Sequence, residues 1–390
     1  MHALEGIRVL DLGQFLAGPF ADMILADMGA DVIKVEPLAG DAMRTGRPFL
    51  GCQRGKRGIV VDLKAADGIQ IFHDLVRDAD VVHHNMRTGV AERLGVDYET
   101  LRQIKPDLIY NHSPAYGVTG PRATWPGFDQ LYQSSTGCEY EQGAVHLGND
   151  PVWYRFGMCD TGNAMQVVVA ITTALLHRQR TGEGGFSHTS LLNAGGLFNS
   201  ANFLTQDGPV ARPRQNQSQT GTGPDNRLYQ AADGWVQVCA SSDPAWQALT
   251  TALQLGDVPR DAATETQIAT ALAAMTAHDA WTLLDTAGVP AEISRDTNDG
   301  LDGLLSDQEL FDLGIISEYE HPNLGTMRQF GHLITFDDTP GHIQGPPPLA
   351  GQHTRTILGE LGYDPSKIDA LHSAGVVYSP DEHYAERFAI

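Results

Sequence analysis

Four cysteines in 390 residues, Cys52, Cys138, Cys159 and Cys239, are too scattered to organise a fold. None forms a C-x-x-C pair, which argues against a zinc ribbon and a disulfide framework, so buried free thiols are the plain reading and no metal site is expected. Basic residues are scarce as well: 26 Lys and Arg against 48 Asp and Glu leave a net charge of −22. Such a chain repels nucleic acid, and no nucleic-acid partner is expected. Every apolar run falls short of the roughly 18 residues that a bilayer-spanning helix needs, so no membrane partner is expected either. The start, Met1-His-Ala-Leu-Glu-Gly-Ile-Arg-Val-Leu10, lacks a basic-then-apolar signal layout, which makes the cytoplasm the default location. Internal repeats and low-complexity tracts are also missing.

What is present is an ordinary globular composition, 42% apolar and 19% charged, in a chain long enough for two cores. Residues 7–12 read as a short buried strand, and Pro19 to Met28 as a helix closed by Gly29. Asp31 to Glu36 is a second strand, followed by a strand at 58–63, a helix at 66–77, a strand at 80–84, a helix near 98–104 and a strand at 107–112. Alternating strands and helices indicate an α/β domain with a mainly parallel sheet covered on both faces. A dinucleotide-binding loop would need G-x-G-x-x-G after the first strand. The chain offers Gly13-Gln-Phe15-Leu-Ala-Gly18, with Phe15 where the backbone must approach pyrophosphate, so the signature fails.

Further on, a long helix is expected at 161–179, stopped by Gly182, then a short strand at 186–190 and a helix near 191–204. Residues 206–224, rich in Gly, Pro, Gln and Thr, read as a linker or glycine loop around Gly221 and Gly223. The boundaries expected are a large domain over 1–205, a smaller α+β domain over 225–320, and a return segment over 321–390 that completes the large domain.

Two local features bear on chemistry. Arg44, Arg47, Arg54, Lys56, Arg57 and Lys64 fall within 21 residues of a strongly acidic chain. They are either a solvated loop or the seat of a small polyanionic ligand. Asp160 stands immediately before the expected long helix, where a carboxylate is either a plain N-cap or a nucleophile. In both roles the positive helix end favours its ionised form.

Taken in order, several segments resemble the family III CoA-transferases, the group that includes formyl-CoA transferase, carnitine CoA-transferase and alpha-methylacyl-CoA racemase. They are Leu4 to Leu12 with Ala17-Gly-Pro19, Leu25 to Pro37, Gly55-Lys-Arg57 with Val61 to Lys64, Asn85 to Gly89 with Arg93-Leu-Gly95, Tyr116-Gly117 with Gly120-Pro121, Asp160-Thr-Gly162 with Ala174-Leu175, and Gly351-Gln-His-Thr354. The resemblance spans essentially the whole chain.

It implies a Rossmann-like large domain, an interlocked homodimer, and acyl-CoA with a carboxylic acid as substrates, with no tightly bound cofactor. By position it implies Asp160 as the catalytic residue. Coenzyme A contacts would come from Leu16, Ala17, Val61, Asp62, Leu63, Lys64, Asn85, Met86, Arg87, Arg93, Pro126, Gly127, Phe128 and Asp129. Some members carry an Arg after the glutamate of the second strand. Here Pro37 and Leu38 follow it, so either Arg44 takes that contact or one phosphate interaction is missing.

The implied chemistry is capture of CoA on Asp160 through a mixed anhydride and an aspartyl-CoA thioester, with a lid at Gly221–Gly223. The racemase branch has a His-Asp pair where this chain has Phe128-Asp129. Phe128 cannot exchange a proton, which leaves His112 and His146 as stand-ins. A non-catalytic acyl-CoA-binding protein is the remaining alternative. Tyr132, Tyr140, Trp153 and Tyr154 suggest a partly aromatic acyl pocket.

Overall fold

The computed structural model describes all residues except 45, 296–302, 382, 385–387 and 389–390, together with the side chain of Arg47. Two compact units emerge. One comprises residues 1–136, 155–198 and 308–390, and the other residues 137–154 and 199–307.

In the first unit, six strands run parallel: β1 (Arg8–Asp11), β2 (Asp31–Glu36), β3 (Arg57–Val61), β4 (Val81–His84), β5 (Ile109–His112) and β6 (Gly185–His188). Their spatial order is 3-2-1-4-5-6, the doubly wound order, and Val377–Tyr378 adds an antiparallel edge beside β3. Alternation along each strand feeds two cores. Leu10 and Ile33 face one cluster with Ile71, Phe72 and Leu75 of the Ala66–Arg77 helix. Val9 and Val32 face the other, with Ile24 and Leu25 of the Ala17–Asp27 helix and Val167 and Ile171 of the Met158–Thr181 helix. Because both faces are covered, the strands read as apolar runs rather than as alternating ones. The long helix ends at Gly182, whose φ of 77° suits glycine and whose N–H closes on the Arg178 carbonyl.

Charge is buried beneath this sheet. Lys56 Nζ donates to Asp11 Oδ2 at 2.8 Å, to the Pro19 carbonyl at 2.7 Å and to Gln53 Oε1 at 2.9 Å. Lys34 bonds the Gly13 carbonyl and Asp41. Burial alone would raise the Asp11 carboxyl, but Lys34 and Lys56 hold it far below the usual carboxylate range.

The second unit holds a short hairpin, β7 (Leu204–Thr205) with β8 (Gly208–Pro209), and a four-stranded antiparallel sheet. That sheet comprises β9 (Gly221–Gly223), β10 (Asn226–Gln230), β11 (Trp235–Cys239) and β12 (Ala291–Ser294). Its helices start at caps that the sequence supplies: Ser242, Asp261 and Thr276 each accept the backbone N–H of the third helical residue. The segment expected as a linker therefore contributes two strands of β structure before residue 224. A Cβ on Gly221 would lie 2.2 Å from Cβ of Arg227, so strand pairing alone requires glycine there.

Candidate active site

In a doubly wound sheet the chain leaves β1 and β4 in opposite directions, opening a crevice at their carboxyl ends. The loops that follow these two strands meet there. Gln14 N–H donates to Asn85 Oδ1 at 2.8 Å, and Asn85 Nδ2 donates back to the Gln14 carbonyl at 2.7 Å. Phe15 takes a left-handed φ of 64°, uncommon for a bulky residue, which lets the chain turn without the missing glycine. Its ring meets Phe128 edge-on at 5.8 Å.

Above this junction lies a cavity of about 920 Å³. Its walls are Leu16 and Ala17 after β1, Val61, Asp62, Leu63 and Lys64 at the end of β3, Asn85, Met86 and Arg87 after β4, then Pro126, Gly127, Phe128, Asp129 and Asp160. Of the expected site residues only Arg93 is absent from the lining. It is exposed, and its guanidinium turns back onto the Gly89 carbonyl at 2.6 Å. Asn85 meets the cavity while its amide is committed to Gln14, so its hydrogen bonds shape the loop.

Asp160 is not the helix cap. The helix begins at Met158, Gly157 is its N-cap, and no side chain caps it. Asp160 is the third helical residue, partly buried, and its N–H donates to Asp129 Oδ2 at 2.7 Å. Asp129, buried, holds Gln133 through Oδ1, and Gln133 Nε2 donates to the Phe156 carbonyl at 2.7 Å. This chain of contacts ties the turn before Asp160 to the helix Asp129–Ser135.

Desolvation, and then the neighbouring Asp129 charge, push the Asp160 carboxyl up to about 7. The helix-end preference for an ionised carboxylate is therefore outweighed. A Cβ on Gly157 would meet Leu16 Cδ2 at 3.0 Å, and one on Gly127 would collide with the buried Tyr132 hydroxyl at 1.9 Å, so packing requires glycine at 127.

The basic cluster divides sharply. Arg44 is buried against Glu36, with Nε to Oε1 at 2.7 Å, and also donates to the Pro348 carbonyl, so it cannot replace a phosphate contact. Arg54 pairs with Asp27 at 2.6 Å, Lys56 with Asp11, and Arg57 with Asp31 at 2.7 Å. The Arg47 side chain lies outside the described residues. Of the cluster, Lys64 alone among the described side chains reaches the cavity. The expectation of a polyanion seat built by the whole cluster is overturned, because buried cations need internal carboxylates.

The aromatic expectation shifts too. Phe15, Phe128 and Phe156 line the cavity, Tyr132 is buried behind Gly127, and Tyr140, Trp153 and Tyr154 belong to the second unit. His112 stacks on His84 with ring centroids 4.2 Å apart, and its Nε2 bonds the Met86 carbonyl at 2.8 Å. Burial lowers its pKa, and it does not line the cavity. His146 lies in the second unit. Among the described residues no cluster of His, Cys, Asp and Glu is arranged for a metal, and no helix is long and apolar enough to cross a membrane.

Residues 4–354 match the model of CoA-transferase family III. The chain belongs to this family. It is 31% identical to a succinyl-CoA:glutarate CoA-transferase of Mus musculus over 97% of this chain and 91% of the relative. It is 33% identical to a succinyl-CoA:mesaconate CoA-transferase of Haloarcula marismortui over 93% and 98% of the two chains. Among solved structures, Rv3272 of M. tuberculosis superposes with a TM-score of 0.77 at 26% identity, covering 92% of this chain and 99% of that one. Family III membership supports CoA-transferase chemistry on acyl-CoA substrates and does not favour the racemase alternative.

Proposed function

We propose that this chain transfers CoA from an acyl-CoA donor to a carboxylic acid acceptor, with Asp160 as the covalent carrier. The observation that carries the reading is a cavity-lining carboxylate freed from any capping duty.

An Asp160 carboxylate oxygen attacks the thioester carbonyl, the C–S bond breaks, and CoA thiolate leaves a mixed anhydride. The thiolate then attacks the Asp160 carbonyl carbon, the anhydride C–O bond breaks, and the donor acid departs. An acceptor carboxylate repeats these steps in reverse on the aspartyl-CoA thioester and leaves with the CoA. Covalent capture divides one hard exchange into easier ones. The remaining lining residues named above would hold CoA, with Lys64 and Arg87 on its phosphates. Phe128 offers no proton to the α-carbon of an acyl group, which supports transfer over racemisation. The exposed Met165, Val169 and Leu176 along the long helix support a homodimer, interlocked as the family resemblance implies.

Because two relatives are named for succinyl-CoA, it is the first donor to try, against glutarate, mesaconate and monocarboxylic acids. Transfer that disappears in Asp160→Asn supports the reading, and unchanged turnover in that variant, with deamidation excluded by mass, removes it.

A further inference from the structure

We propose that Ser113, His83 and Asp22 form a second nucleophilic site in this cavity, with the Ser113 hydroxyl accepting acyl groups and hydrolysing acyl-CoA thioesters independently of Asp160. The inference rests on the reading of the cavity as an acyl-CoA site, and not on Asp160 as the carrier.

Three elements of the first unit bring these residues together. Asp22 lies on the Ala17–Asp27 helix, His83 on β4, and Ser113 directly after β5. His83 Nδ1 meets Asp22 Oδ2 at 2.8 Å, and its Nε2 meets Ser113 Oγ at 2.9 Å. The Ser113 N–H donates to the His84 carbonyl at 2.9 Å, which fixes the serine backbone. All three side chains are buried, but of the three Ser113 alone lines the cavity. A hydroxyl nucleophile needs this order: serine at the cavity, an imidazole against its oxygen, a carboxylate on the far ring nitrogen. Burial raises the Asp22 carboxyl to about 6, so at pH 8 it is ionised and accepts the Nδ1–H. Nε2 is then an acceptor for the Ser113 hydroxyl, whose other acceptor, the His84 carbonyl, is farther off at 3.4 Å.

Neither transfer nor framework duty accounts for this array. Transfer, as written above, runs through carboxylates and a thiolate and moves no proton, so a histidine base has no part in it. As framework the array is incomplete. Asp22 Oδ1 is buried with no hydrogen-bond partner among the described residues, whereas buried polar atoms kept for stability are ordinarily satisfied.

In the hydrolysis, Ser113 Oγ bonds to the acyl carbon and its proton passes to His83 Nε2. The thioester C–S bond breaks, and the departing sulfur takes that proton. Water then bonds to the acyl carbon and gives a proton to Nε2. The ester C–Oγ bond breaks, Ser113 recovers the proton, and the carboxylic acid leaves.

The test uses full-length Asp160→Asn, with deamidation excluded by mass, given butanoyl-CoA or glutaryl-CoA at pH 8 and no acceptor acid. It should still release CoA thiol from at least one of them. Adding Ser113→Ala or His83→Gln should lower that rate by about a hundredfold or more. Because a change at a buried position can disturb folding, a second measurement uses the unaltered protein. A fluorophosphonate, with no CoA present, should add to Ser113, as read by peptide mass spectrometry. No thiol release from Asp160→Asn, equal release with and without Ser113, or no fluorophosphonate adduct on Ser113 overturns the assignment. Failure of the unaltered protein to bind CoA in calorimetry would remove the reading of the cavity and this activity with it. A missing aspartyl-CoA adduct would remove Asp160 as carrier alone.

Discussion

Two aspartates of the same unit meet opposite electrostatic fates. Asp11, fully buried at the end of β1, has Lys56 at 2.8 Å and Lys34 at 4.0 Å, and its carboxyl is driven far down. Asp160, at the start of the long helix, has a second aspartate as its charged neighbour among the described residues, and its carboxyl is driven up to about 7. Burial pushes both upward, so the partner decides the sign. A carboxylate surrounded by cations is framework: it is stable, spent and unavailable. One left without a cation and open to a cavity has the setting that the proposed carrier role requires.

The largest effect that would sharpen this contrast is on turnover. Asp160→Asn should lower kcat by about a thousandfold or more, because the amide cannot form the acyl intermediate, while the denaturant midpoint stays at or above that of the parent. Lys56→Met should show the reverse pattern. Leaving Asp11 without its nearest cation costs about 3–5 kcal/mol in a denaturant titration, whereas protein that remains folded should keep its kcat. If Lys56→Met were as stable as the parent, the framework half of the comparison would fail.

A smaller effect is expected on CoA affinity. Lys64→Ala and Arg87→Ala should each weaken it by about tenfold or more, from roughly 1.5–3 kcal/mol per charge-assisted contact, and the affinity should fall with added salt. Arg93→Ala, whose guanidinium serves the Gly89 turn, should leave affinity nearly unchanged in the same calorimetric assay.

The mildest expectation concerns pH. The folded-state pKa of Asp160, about 7, lies above the ordinary aspartate value of 3.8, so the native chain binds the extra proton between these limits. That stability is fully present below about 3.8 and is lost as pH rises toward about 7. Asp160→Asn should thus raise Tm at pH 8 but not at pH 4. In the parent, kcat/KM should fall as pH drops below about 7, because only the ionised carboxylate attacks.

How much of this was legible in the sequence depended on range. Buried runs such as Val9-Leu10 and Val32-Ile33 announce strands by themselves, and every site residue expected from the resemblance except Arg93 lines the cavity. Partners distant in sequence were not legible. Arg44, Arg54, Lys56 and Arg57 look like a ligand site until folding brings Glu36, Asp27, Asp11 and Asp31 beside them. The long helix starts three residues before the expected 161 because Gly157 caps it without a side-chain bond, which leaves no acidic or hydroxyl signal in the sequence. The Asp129–Gln133 contact was within reach, since residues four apart share a helix face, but the short helix that carries it went unrecognised. Residues 137–154 fall in the second unit through contacts that no local pattern encodes.

The central claim, that Asp160 carries the CoA, is tested most directly by peptide mass spectrometry of the protein quenched during turnover with succinyl-CoA. A CoA thioester on the peptide containing Asp160, removed by added carboxylic acid and absent from Asp160→Asn, is the predicted result. Steady CoA transfer with no adduct on that peptide, or with the adduct on another residue, would contradict it.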